Sequence, residues 1–387
     1  MIKIPNNKKL VNMLTVLTVA GEMPLVAASQ AGSHEGYRKL FYELSKKQVF
    51  VNTKTNEQMR VKLIHMSDRG DKRRCRLYKN AIPILDWIGT RAYYEEMFPD
   101  NKMSGGEQNR FRNAMIAEAV LMMLESGIEV LPTMLPALRI NNRYNSFHGR
   151  SCFYSARHLK QTLNKGMNKI VSSRIVGALF AGDNVYAVYN TRSSAIKWKG
   201  MNEMKTKHIL TDLARVNGDV SVCDSAVIFG KDDWTVLKSF FNATAYGDKD
   251  FRFDKIYPNV YAIPQNPIGI ELLKLFKIPN FQQKILAYMF EETDICQNSG
   301  YGWHAVVDGA YVFSYLDANI AALTRFYETA KRGKGKHKFM VVCYDFQEKF
   351  IKDYFEDIAS IATMPFQIIV HELGGKNHET NNKKHYQ

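Results

Sequence analysis

Between residues 151 and 373 the chain alternates short β-leaning runs with helical stretches, and this restricts it to an α/β layered fold with mostly parallel strand neighbours. The strand readings are Arg174–Phe180, Val185–Tyr189, Ala226–Phe229, Val260–Ile263, Tyr311–Tyr315, Phe339–Tyr344 and Phe366–Val370. Helices are predicted near 201–215, 232–242, 267–277, 317–331 and 346–359. The first two strands, joined across Ala181-Gly182-Asp183-Asn184, read as a hairpin instead of a parallel pair.

The front of the chain follows a different rule. Leu10, Met13, Leu14 and Leu17 recur at three- and four-residue steps, so a helix is predicted there, stopped by Gly21. The same stretch superficially imitates a secretory signal, but Asn12, Thr15, Thr18, Glu22 and Pro24 interrupt it and favour an amphipathic helix. Leu25 to Ala31 is a second short apolar segment. Ser33 is placed to cap a third helix that buries Tyr37, Leu40, Phe41 and Leu44. A hairpin follows, built from Val61–His65 and Arg74–Tyr78 around the turn-prone Ser67-Asp68-Arg69-Gly70-Asp71, and Ala81–Ile88 closes the unit before Gly89. Three helices and then a hairpin with a basic tip is the order of a winged helix-turn-helix.

The division expected is therefore a winged helix over 1–90, a helical connector and loop over 91–150, an α/β domain over 151–373 and a disordered tail over 374–387. The connector holds one strong helix near 107–126, with Phe111, Met115, Ala119, Met122 and Met123 on one face.

Charge separates the same parts. Residues 1–80 carry sixteen Lys and Arg against six Asp and Glu, whereas the rest of the chain is nearly balanced, and the whole is at +15. A basic module in front of a neutral body favours a polyanionic partner, here double-stranded DNA. On the third helix, Ser33, His34, Tyr37, Arg38 and Lys39 stand at the start and Lys46 and Lys47 at the end. Arg69, Lys72, Arg73, Arg74 and Arg76 decorate the hairpin. A helix in the major groove can reach base edges while flanking Lys and Arg hold phosphates. A second basic loop, Lys331 to Lys338, includes Lys334 and Lys336 as further candidate backbone contacts.

The segment Leu10–Gly89, with Tyr37-Arg38-Lys39-Leu40 leading the third helix and a Val61–Met66 strand, resembles the replication-relaxation family of plasmids and conjugative elements. A looser echo lies in Phe153-Tyr154-Ser155-Ala156-Arg157-His158-Leu159-Lys160, Ser173–Gly177 and Val188-Tyr189-Asn190. The resemblance implies an accessory protein of plasmid or mobile-element replication or DNA relaxation, working beside other replication or mobilisation proteins. A winged helix reading a duplex allows a homodimer on related half-sites, and the cysteine spacing favours a cytoplasmic location. It carries no residue over beyond position 200.

Two alternatives remain at this stage. Asp183, Glu203 and Lys205 have a spacing compatible with a restriction-endonuclease-like core, which would use Mg²⁺ to activate water; otherwise no cofactor is expected. An α/β body that senses a small ligand would make the chain a transcriptional regulator. Met103 to Arg110 imitates the signature loop of ABC-type ATPases but has no phosphate-cradling G-x-x-x-x-G-K-[ST] segment to work with. The five cysteines are widely spaced and odd in number, as in a protein of reduced thiols.

Overall fold

A computed structural model describes residues 1–30, 34–67, 73–103, 105–133, 150–162, 170, 173–198, 200–217, 222–241, 252–296 and 302–379. It is mixed α/β, with several sheets.

The first helix, α1 (Lys8–Ala20), starts where the Asn7 side chain accepts from the Leu10 N–H at 3.1 Å. It ends at Gly21, whose φ of +79° suits glycine, and whose missing Cβ would otherwise sit 2.6 Å from Phe98 and Met103. Strand β2 (Glu22–Pro24) then leads into α2 (Val26–Gln30) and α3 (His34–Leu44). Two small sheets follow. In the first, β1 (Ile2–Ile4) lies parallel to β3 (Gln48–Asn52), which pairs antiparallel with β4 (Gln58–Val61). In the second, β5 (Ile64–Ser67) and β6 (Arg74–Leu77) form the expected hairpin, and β2 joins it antiparallel, giving the order β2-β6-β5. The single strand read over Val61–His65 is thus split at Lys62-Leu63 between two sheets. A 3-10 segment, Lys79–Ile88, contains Pro83 and ends at Gly89 with φ of +69°.

After α4 (Arg91–Met97), helix α5 (Glu107–Glu125) occupies the centre. It packs on α1 and β2 on one side and on β7 (Glu129–Val130), β8 (Cys152–Ser155) and β10 (Asn184–Arg192) on the other. One apolar cluster accordingly runs from Ile4 and Leu17 through Val120 and Met123 to Phe229 and Ile369, so the front of the chain and the body share a core across residue 90.

The body is built on a six-stranded, mostly parallel sheet in the order β12-β11-β10-β9-β8-β7. Strands β10, β11 (Ser225–Gly230) and β12 (Asn259–Pro264) run parallel, connected through α7 (Gly200–Asn217) and α8 (Asp233–Phe240). β9 (Gly177–Ala181) turns back antiparallel onto β10 through Gly182 at φ +58°, as the hairpin reading required. The near-continuous apolar runs have the expected cause. Val188, Val227 and Ile263 face the first core cluster, while Ala187, Ala226 and Val260 face a second one.

A four-stranded sheet, β13 (Ala305–Val307), β14 (Ala310–Ser314), β15 (Lys338–Tyr344) and β16 (Ser360–Met364), lies beyond β12. Its last three strands are parallel, with α11 (Ile320–Gly333) and α12 (Glu348–Phe355) as crossovers, and the Ala262 N–H donates to the Ala318 carbonyl across the seam at 2.9 Å. The remaining helices are α6 (Ala156–Thr162), α9 (Pro267–Leu275), α10 (Phe281–Met289) and α13 (Phe366–Glu379).

Two expectations are corrected here. Phe366–Val370 is the first turn of α13, not a strand. Phe366 and Ile369 are buried while Ile368 is 40% exposed, a helical spacing that outweighs the β-branched composition. The tail expected from residue 374 is helical through Glu379; residues 380–387 lie outside the described ones. No described helix is long and apolar enough to cross a membrane.

Candidate nucleic-acid interface

Helix α3 is strongly amphipathic. Tyr37, Leu40, Phe41 and Leu44 are buried against the front core, which leaves Arg38, Lys39 and Tyr42 on the solvent side, with Lys46 exposed just past the helix end. Tyr37 therefore does not belong to a DNA-reading face. Its hydroxyl donates to Glu125 on α5 at 2.7 Å, and the same carboxylate oxygen accepts from the Asn12 amide at 2.9 Å. Burial, reinforced by the Glu125 charge, pushes the Tyr37 hydroxyl well above the ordinary tyrosine range, so it acts as a fixed donor. This bond ties α3 to the central helix.

On the open side, Arg38 is 72% exposed, and its partner Glu35 lies 3.8 Å away at 90% exposure. Such a pair is weak and screened, which leaves the guanidinium available. Tyr42, 63% exposed, carries the Lys46 ammonium 3.7 Å from its ring centroid. Lys47, at the helix end, is exposed as well.

The hairpin divides its arginines. Arg74 is only 19% exposed and pairs with buried Glu22 on β2 at 3.2 Å, so it holds the sheet together and is not a free phosphate contact. Arg73 and Arg76 are exposed. The Arg73 carbonyl accepts from the Leu25 N–H at 2.9 Å, fixing the turn end of the hairpin against the residue that precedes α2. Ser33, Arg69 and Lys72 lie outside the described residues, and of His34 only the backbone, at the start of α3, is described.

Between α3 and the hairpin runs a groove of about 210 Å³. Leu25, Ala28, Phe41 and Met66 contribute its apolar part, Arg38 and Arg73 its charge, and Tyr42 and Ser45 its other polar groups. An apolar floor edged by two guanidinia suits a sugar-phosphate strand, whose deoxyribose is apolar and whose phosphate takes two parallel N–H donors. Tyr42 was not anticipated from the sequence; it lies four residues after Arg38, on the same helical face, and that spacing is the signal that would have found it.

The other candidates are dispersed. Lys334 pairs with Asp357 at 2.5 Å and Lys336 is exposed, both at the turn between α11 and β15. Asp183 is exposed in the turn that begins β10, whereas Glu203 is fully buried beside Tyr189, six residues further along. Six residues of strand span about 20 Å, too far for one metal ion to join the two carboxylates.

Glu203 accepts from the Ser173 hydroxyl at 2.7 Å, the Arg174 N–H at 2.9 Å and the Tyr189 hydroxyl at 2.8 Å, while Lys205 points to solvent. Burial raises the Glu203 pKa, and these donors only partly oppose it. The structure does not bring Asp183, Glu203 and Lys205 together. Among the described residues no cluster of three His, Cys, Asp or Glu is placed to hold a metal. Comparison with family models, with curated proteins and with solved structures gives no match for this chain.

Proposed function

We propose that the chain binds duplex DNA through a winged helix-turn-helix at its front, with α3 entering the major groove and the β5–β6 hairpin as the wing. The observation that carries the reading is the groove edged by Arg38 and Arg73, where the exposed face of α3 meets the turn end of the hairpin strands. The connectivity supports it. The order α1-β2-α2-α3-β5-β6, with β2 pairing β6 in a β2-β6-β5 sheet, is compatible with a winged-helix path in which β3–β4 is inserted after the third helix. Helix α3 has eleven residues, about 16 Å at 1.5 Å each, enough to present Arg38, Lys39 and Tyr42 across a groove about 12 Å wide, with Lys46 just past its end. The role in mobile-element replication or relaxation is the biological setting that the sequence resemblance suggests for such a reader.

The test is selection of bound duplexes from a random library by the full chain, beside Arg38→Ala/Lys39→Ala/Arg73→Ala/Arg76→Ala. Enrichment of a site by the wild type and its loss in the variant is the expected result. Equal enrichment by both, or none by the wild type, would refute the reading.

A further inference from the structure

A second cluster of cations lies on the body, on elements the winged helix does not use. Arg112, near the start of α5, donates to the Ser173 carbonyl at 3.2 Å and to the Ile175 carbonyl at 2.9 Å. It therefore brackets Arg174, whose side chain is exposed. The next residue on α5, Asn113, accepts from the Arg157 guanidinium of α6 through Oδ1, and Arg157 lies 4.7 Å over the Phe98 ring. Lys160, one turn further along α6, is exposed on the same helix. Three elements thus bring four positive side chains to one place.

What these groups bond to is informative. Arg112 and Arg157 are anchored by neutral oxygens, and among the described residues none of the four makes an ion pair with a carboxylate. The carboxylates in range are already engaged: Glu203 is buried and accepts three hydrogen bonds, and Glu22, which acts on Arg157, pairs with Arg74. Asn113, 3% exposed, has its Nδ2 donor without a partner, and the Arg157 bond to Oδ1 fixes which way the amide faces. A half-buried site that offers only donors lacks an acceptor, and an unmet buried donor costs about 1–3 kcal/mol. Mutual repulsion has the same sense. Burial first, then the Arg174 charge, draws Arg112 below its ordinary pKa, and burial followed by the Arg112 and Arg157 charges does so for Lys160.

We propose that Arg112, Asn113, Arg157, Lys160 and Arg174 form a phosphate-binding site on the body. An acceptor-only, multiply charged tetrahedral group satisfies the free donor and offsets the repulsion, and guanidinium forks match its oxygens. The inference stands apart from the winged-helix reading, because none of these residues belongs to α3 or to the hairpin. The phosphate can come from a DNA backbone or from a free phosphate compound, and the two sources separate by experiment.

Thermal unfolding of the full chain in inorganic phosphate is compared with chloride at matched ionic strength, for wild type, Lys160→Gln/Arg174→Gln, and a control, Lys238→Gln/Lys349→Gln, that removes equal exposed charge elsewhere. The salt dependence of duplex binding is measured for the same three proteins. A phosphate-specific rise in Tm that the first variant loses and the control keeps supports a site for free phosphate. A salt slope reduced by about 0.9 per lost contact in the first variant alone supports a backbone site. The proposal is overturned if neither the Tm shift nor the slope separates Lys160→Gln/Arg174→Gln from the control.

Discussion

Replacing Arg38 and Arg73 together by Ala is the sharpest perturbation of the proposed interface, because its effect on DNA binding has a calculable salt dependence. Both side chains edge the groove, Arg73 is exposed, and Arg38 is 72% exposed with only a distant, solvated Glu35 beside it. Neither holds the fold, so the loss should appear in binding and not in stability. Each phosphate contact contributes about 0.9 to the slope of log affinity against log salt, so losing two lowers the slope by about 1.8. Raising salt from about 50 to about 200 mM is a fourfold change, worth about 3.5-fold in affinity per contact and about 12-fold for two. The wild type should therefore lose about 12-fold more affinity than Arg38→Ala/Arg73→Ala over that range, read by fluorescence anisotropy on a labelled duplex.

Tyr37→Phe supplies the contrast. It removes the 2.7 Å bond to Glu125 and should cost about 2 kcal/mol of stability in urea unfolding, yet leave the salt slope unchanged. An unchanged slope in the arginine variant, or an equally reduced one in Tyr37→Phe, would refute the division of α3 into an anchoring side and a contact side.

Other sites yield separate tests. Glu118 is fully buried on α5, pairs with Arg192 at 2.9 Å and accepts from Asn190; Glu118→Ala should cost about 3 kcal/mol or more in urea unfolding, because Arg192 is only 26% exposed. Burial raises Asp233 to about 6 and Asp317 to about 7, so ionising either one weakens the fold. The stability each contributes is complete below the unfolded value near 4 and is lost as pH rises through the folded one. Asp317→Asn keeps the acceptor that caps the Asn319 N–H, so its Tm should gain on the wild type between about pH 4 and 7 and hold that gain above; a constant difference would contradict the shift. Gly21→Ala should lower stability by more than about 1 kcal/mol in the same unfolding assay, since positive φ and the contacts to Phe98 and Met103 act together. Burial pushes the thiols of Cys75, Cys152, Cys223 and Cys343 up to about 12, so a thiol reagent should titrate Cys296 alone quickly in the native protein.

The elements legible in the sequence were those whose burial is one-sided or complete. α3 shows spaced apolar residues because it meets a core on one side, and β10, β11 and β12 show unbroken apolar runs because each meets a core on both faces. α1 and α5, apolar enough to be read as helices, are buried all round over most of their length. What escaped was structure whose reason lies in a distant partner. β1 has three residues and exists through its pairing with β3, almost fifty positions away. β16, Ser360 to Met364, buries none of its five residues and is held by its pairing with β15.

Tyr37 shows the same limit within a single helix. Its position beside Arg38 and Lys39 fits a reading face, and its spacing from Leu40, Phe41 and Leu44 fits a core face. The choice between them is made by Glu125, eighty-eight residues later, which supplies a half-buried acceptor. Arg74 repeats the pattern, since Glu22 turns a wing charge into a cross-strand tie. In a basic module, then, composition counts the cations, while the positions of a few partner carboxylates decide which side chains are withdrawn from the surface. Glu22 and Glu125 withdraw Arg74 and Tyr37 from the surface, and Arg38, Lys39, Tyr42, Lys46, Lys47, Arg73 and Arg76 remain exposed, the set that the proposed interface would use.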